Sequence, residues 1–260
     1  MTAQAEAPRM DRPDPPPGDG LFRVETSPKR IRAYLGSDLV ADTTRPLLVW
    51  EIPYYPMYYF PAEDVRARLV PTGTTEHVAE RGTAEVLDVV TPHGTAPAAA
   101  RRFPDSPVPE LRGAVRLEWG AMDEWLEEDE PIYAHPNNPY TRIDIRKSSR
   151  HVRVELEGVV LADSRSPHIL FETGRPPRYY LPLSHVRMDL LRPSGRQSHC
   201  AYKGTATYWS VDVYDRCYED IAWMYRTPLP ECQKIAGLIC FANEQVDLIV
   251  DGEIQERPGT

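Results

Sequence analysis

From Phe22 onward the chain is a succession of short segments in which apolar and polar positions alternate, separated by turn residues. HVRVELEGVVLAD (151–163) alternates, turns at Glu157-Gly158 and resumes, which predicts a hairpin. IRAYLGSDLVAD (31–42) repeats that pattern with one more turn residue. LLVWE (47–51) and HILFE (168–172) predict short strands. GTATYWSVDV (204–213), β-branched and aromatic, predicts a longer one. GLICFA, then QVDLIVDGEI with a turn at Asp251-Gly252, predicts closing strands. PAEDVRARL (61–69) and PLSHVRMDL (182–190) predict short helices with proline at the first position. LPECQKIAG (229–237) predicts a helical turn or two closed by Gly237.

The segments recur. ADTTRPLLVWEIPYYPMYYFPAEDVRARL (41–69) aligns without a gap on ADSRSPHILFETGRPPRYYLPLSHVRMDL (162–190). Asp42 matches Asp163, Glu51 matches Glu172, Tyr58-Tyr59 matches Tyr179-Tyr180, and Pro46, Pro56 and Pro61 match Pro167, Pro177 and Pro182. After one inserted residue Gly82-Thr83-Ala84 matches Gly204-Thr205-Ala206, with Arg81 facing Lys203. Rare residue types matching in place argue for duplication, so the expected fold is mainly β. It consists of two tandem homologous modules, each a small β-barrel or bent sheet with short helices, over 23–146 and 147–256. Residues 1–22, rich in Pro, Asp and Gly, read as a disordered arm. The Pro- and Ala-rich stretch 91–112 reads as an extra surface loop of the first module.

RVELEGVVLADS, ETGRPPRYYLP, YKGTATYWSV and IAGLICFANEQVDLIVDGE, with YAHPNNPYTRID before them, resemble the DUF427 family in a tandem form. The resemblance spans most of residues 25–255 and is most specific in the second module. In the first, Tyr-Lys-Gly is replaced by Glu80-Arg81-Gly82. It implies a compact β-rich domain and carries over no catalytic residue. A nucleotidyltransferase-like label attached to the family finds no support here. The sequence shows no Gly-Ser followed by paired aspartates to hold metal ions on a triphosphate.

Composition narrows the function classes. The 260 residues carry 30 basic against 39 acidic side chains, a net charge of −9, with no extended basic stripe. That weighs against nucleic acid and anionic membranes as partners. No apolar run is long enough for a membrane-spanning helix, and the N-terminus lacks the apolar core of a signal peptide, so a cytoplasmic location is expected. Cys200, Cys217, Cys232 and Cys240 form no C-x-x-C pair and are expected to be free thiols.

Four constellations can carry chemistry. In Glu172-Thr-Gly-Arg175-Pro-Pro-Arg178-Tyr179-Tyr180 a carboxylate ends a strand and precedes a rigid loop, a cation and two phenols. The plainer reading pairs Glu172 with Arg178 to fix the loop. In Ser198-His199-Cys200-Ala-Tyr202-Lys203-Gly204 a thiol, a phenol and an amine crowd a strand entry. His199 and Cys200, being adjacent, point to opposite faces, so they make no dyad, although His185 or His168 can approach from elsewhere. The histidines of the second module show no metal-ligand spacing. Trp50, Tyr54, Tyr55, Tyr58, Tyr59 and Phe60 line either a pocket or a core. The run Glu127–Glu130 reads as a solvated face.

The expected function is a metal- and cofactor-independent small-molecule enzyme working in the second module. Glu172 would serve as acid or base, Arg178 and Lys203 as anion clamps, and Tyr179 and Tyr202 as proton donors. Tyr180, His185, Cys200, Trp209, Glu51 and Tyr58 would contact the ligand. The alternatives are a non-catalytic binding module with an aromatic-lined pocket and a protein-interaction scaffold. Oligomeric state is not legible in the sequence.

Overall fold

A computed structural model describes residues 22–258. The arm expected over 1–22 lies outside them, except for Phe22. The first half runs β1 (Arg23–Thr26), β2 (Ile31–Leu35), β3 (Asp38–Thr43), β4 (Leu47–Trp50), β5 (Met57–Pro61), β6 (Arg68–Val78), β7 (Gly82–Val90), β8 (Thr95–Arg102), β9 (Ala114–Leu117), β10 (Glu124–Glu127) and β11 (Glu130–Ile132). The second runs β12 (Ile143–Lys147), β13 (Val152–Leu156), β14 (Val159–Ser164), β15 (His168–Glu172), β16 (Arg178–Leu181), β17 (Leu191–Cys200), β18 (Gly204–Val213), β19 (Arg216–Tyr225), β20 (Ile239–Phe241), β21 (Asp247–Val250) and β22 (Glu253–Ile254).

Each half folds into a seven-stranded and a four-stranded antiparallel sheet. The first half has the orders β1-β4-β5-β9-β8-β7-β6 and β11-β10-β2-β3; the second has β12-β15-β16-β20-β19-β18-β17 and β14-β13-β21-β22. The two orders are the same once strands are matched in sequence, so the repeat read from residue types is a repeat of topology. Each sheet is open between its two edge strands, so the halves are bent double sheets and not closed barrels. The long hairpins break register at matching places, between Pro71 and Thr75 in β6 and between Pro193 and Gln197 in β17. Bulges of this kind bend a strand pair and raise its twist.

Alternation sends neighbouring side chains to opposite faces of the seven-stranded sheet. Tyr58 and Phe60 enter the core between the two sheets of the first half, with Ile31, Leu87 and Trp125. Tyr59, between them in sequence, enters a second cluster on the outer face with Phe103 and Leu111. Tyr179 and Leu181 repeat the inward positions, and Tyr180 the outward one with Tyr225, Cys232 and Ile235. Of the crowded aromatics of the first half, Trp50, Tyr58, Tyr59 and Phe60 are thus divided between two cores, whereas Tyr54 is exposed and Tyr55 stacks on His135.

Three local expectations change. The segments after β5 and β16 form 3₁₀ turns at Ala62–Asp64, Leu183–His185 and Met188–Leu190 instead of α-helices. Each is followed by an extended residue, so no second turn has room to form. The stretch 91–112 is not an extra loop. It holds β8, the counterpart of β19, and a 3₁₀ turn at Pro109–Leu111; Ala99, Ala100, Phe103 and Leu111 are buried. Its alanines and prolines conceal the strand because they carry little β signal. The acidic run is a hairpin between β10 and β11, and Glu127 turns inward to accept the Tyr58 hydroxyl at 2.6 Å. The expected helical turn at 229–237 forms as a 3₁₀ segment, Pro230–Ile235, followed by Gly237 at φ +69°. No helix among the described residues is long and apolar enough to cross a membrane.

Gly82 opens β7 at φ +86°, and a Cβ there would lie 3.1 Å from Pro107 Cδ. Gly252 has the same kind of backbone, φ +89°, with open space around it. Both Gly→Ala changes incur the left-handed penalty of about 1–2 kcal/mol. Gly82→Ala should therefore lower the urea midpoint further than Gly252→Ala; equal shifts would contradict the crowding.

Candidate functional site

Glu172 ends β15, and Lys203 sits in the turn between β17 and β18, with three strands between β15 and β18 in the sheet order. The fold brings Lys203 Nζ to 2.6 Å from Glu172 Oε2, with the two side chains 10% and 17% exposed. Their matches in the first half, Arg81 and Glu51, meet at 2.7 Å. A buried cation–carboxylate pair is therefore common to both halves.

The surroundings differ. Glu51 Oε1 also accepts the Tyr59 hydroxyl at 2.7 Å and Arg116 Nε at 2.8 Å. Arg116 lies opposite Tyr59 on β9; the matching residue opposite Tyr180 on β20 is Cys240. Arg116 continues to Glu118, and Glu118 to Arg101, so the first half carries an ion chain. In the second half Trp223 Nε1 donates to the Tyr180 hydroxyl at 3.3 Å, and burial pushes the Cys240 thiol up to about 12. Ionisable side chains are thus not concentrated in the second half alone.

The remaining candidates are dispersed. Arg178 does not pair with Glu172; it forms a two-point bridge to Glu244, at 2.9 and 2.6 Å, beneath Trp223. Tyr179 and Trp209 belong to the core between the sheets. His185 Nδ1 meets Ser164 Oγ at 2.9 Å, and the matching residues in the first half are Asp64 and Thr43, at 2.7 Å. In both halves that hydroxyl also accepts a backbone N–H two residues on, which makes the contact a turn brace. Among the described residues no three metal-capable side chains converge.

Tyr202 and Cys200 reach open space. They line a cavity of about 660 Å³ between the two halves. Its first wall is Lys29, Glu127 and β11; its second is the segment joining the halves, Tyr133–Asn138 with Thr141. The third is the end of β17 and start of β18, His199–Tyr202 with Gly204 and Thr205, and the fourth is Leu229–Glu231. Lys203 and Glu172 lie behind this cleft and not on its surface.

The joining segment is fixed at both ends. His135 stacks on Tyr55 with centroids 3.6 Å apart, and Asn138 Nδ2 donates to the Tyr54 carbonyl at 3.0 Å. The Tyr140 hydroxyl donates to Glu25 at 2.8 Å. Towards the second half the Asn138 backbone N–H donates to the Tyr202 hydroxyl at 2.7 Å. Burial raises the Tyr202 phenol, against hydrogen bonds from Thr141 and Asn138, and lowers the His135 imidazole. Both are neutral near pH 7. Burial also pushes Cys232, whose thiol donates to the Tyr202 carbonyl at 3.4 Å, up to about 11.

Sequence reasoning missed this joining segment. Its signal was present in the density of His, Asn, Tyr and Pro over 133–140. It also missed that His77 and His199 are matched: each faces a threonine across its hairpin, Thr83 at 3.4 Å and Thr205 at 2.9 Å.

A family model described as a domain of unknown function (DUF427) matches residues 23–128 and again 144–252. No curated protein matches the chain.

Two outcomes follow from these side chains. Glu172→Gln leaves Lys203 buried without a counter-charge and should cost about 3–5 kcal/mol in urea unfolding. Adding Lys203→Met should recover much of it, and a double variant as unstable as the single one would contradict the pairing. His135 and His168 are both lowered by burial, so the unfolded chain binds their protons first. Stability should hold above about pH 6.5 and fall as the pH drops below it. A His135→Gln/His168→Gln protein should show a flatter melting-temperature profile between about pH 7 and 5.5.

Proposed function

The chain belongs to the DUF427 family, with one matching region in each half, and from that premise we propose that it binds a small molecule in the cleft between the halves without transforming it. The observation that carries this reading is the cavity itself. Its volume of about 660 Å³ is in the range of sites for drug-sized ligands. Its walls combine apolar surface from Ile132, Ile143 and Leu229 with hydrogen-bonding groups on Tyr202, Asn138 and Thr205. A preformed concavity with a few fixed polar groups is what ligand recognition needs.

Acid–base catalysis by the second half has less support. Glu172 and Lys203 neutralise one another at 2.6 Å, and an equivalent pair stands in the first half. A feature present in both halves, behind the cleft and not on it, suits a structural brace. The titratable cleft residues whose protonation is displaced, Tyr202 and His135, are shifted in the directions that keep them uncharged. Groups held neutral orient a ligand well and exchange protons poorly near pH 7.

The test is a thermal-shift screen against metabolites, run in parallel on the wild type and on Ala201→Trp, which fills the cleft from its wall. A ligand at a hundredfold its Kd adds about 2.7 kcal/mol to the native state. Hits should stabilise the wild type and leave Ala201→Trp unmoved. Stabilisation that survives in the filled variant, or product formation from a hit, would overturn the reading.

A further inference from the structure

We infer that the ligand of the cleft is an organic cation, an amine with an apolar body. This inference rests on the cleft being a ligand site. The walls carry three carboxylates and one lysine. Lys29 is ion-paired with Glu127, so its charge is already satisfied. Glu130, on β11, and Glu231, in the 3₁₀ segment after β19, have no ion-pair partner among the described residues. One comes from each half, which leaves the cleft with an uncompensated negative field from two directions.

The His135 ring of the joining segment does not oppose that field. His135 is held neutral by burial and adds no positive charge. The unpaired charges on the cleft wall are therefore both negative, and the complementary ligand supplies a positive charge.

The apolar walls specify the rest. Tyr133 is 71% exposed and stands with His199 at a centroid distance of 6.0 Å. Tyr202 and His135 form a second ring pair at 6.2 Å. Aromatic faces attract a cation within about 6 Å of the ring by their quadrupole. A bare metal ion is a poorer match, because no three metal-capable side chains converge among the described residues. A cavity of about 660 Å³ also leaves room for an apolar body beside the charge.

The test uses three probes of one shape and different charge: 2-phenylethylamine, 2-phenylethanol and phenylacetate. Binding is read by calorimetry and ligand-observed NMR on the full chain. The amine should bind about tenfold or more tighter than the other two, and its affinity should fall as salt is raised. Glu130→Gln/Glu231→Gln should weaken the amine about tenfold and leave the alcohol unchanged. Equal binding of amine and alcohol, abolished in Ala201→Trp, overturns the charge assignment and leaves the cleft as a ligand site. An amine that does not bind overturns the charge assignment too. Amine binding that persists in Ala201→Trp overturns both the charge assignment and the cleft reading.

Discussion

A seven-stranded sheet has two faces to keep from water, and in each half only one of them meets a four-stranded sheet. The other is closed by side chains from irregular segments: Phe103 and Leu111 in the first half, Cys232 and Ile235 in the second. Two-sided burial explains why the tyrosine pairs are adjacent, since one ring serves each face. It also explains the ion pairs. Glu51 and Glu172 close the strands that lead to the outer face, and each is met there by a cation from a distant hairpin turn. A carboxylate taken out of water needs such a partner or it destabilises the fold.

The halves keep that pair and diverge around it. The first extends it through Arg116 to Glu118 and Arg101. The second replaces Arg116 by Cys240 and fills the surrounding space with Trp223, Tyr208 and Tyr225. The first solution is an ion chain and the second mostly packing, with the same backbone. Neither presents a free acid or base to the cleft.

The joining segment makes the site. It leaves β11, stacks His135 on Tyr55, hydrogen-bonds Tyr54 and Tyr202 through Asn138, and enters β12. Its polar groups thus brace both halves while walling the cavity between them. Within a single half only part of these walls exists, because β11, the joining residues and the β17–β18 turn come from different parts of the chain. The ligand chemistry proposed above is a property of the pair.

Residue pattern alone determined the β class, the duplication, most strands and the two turns at Glu157-Gly158 and Asp251-Gly252. Those features rest on alternation and on local backbone preference, which neighbours in sequence carry. β8 escaped notice because Ala99 and Ala100 hold buried positions without a strand-forming residue type. The partner of Glu172, the separation of Tyr179 from Tyr180, and the cleft were decided by tertiary structure. Lys203 reaches Glu172, and Arg178 reaches Glu244, through a strand order in which β20 and β19 come between β16 and β18. Sheet order is set by which faces bury together over long sequence distances, and no local pattern of hydrophobic and polar residues encodes it.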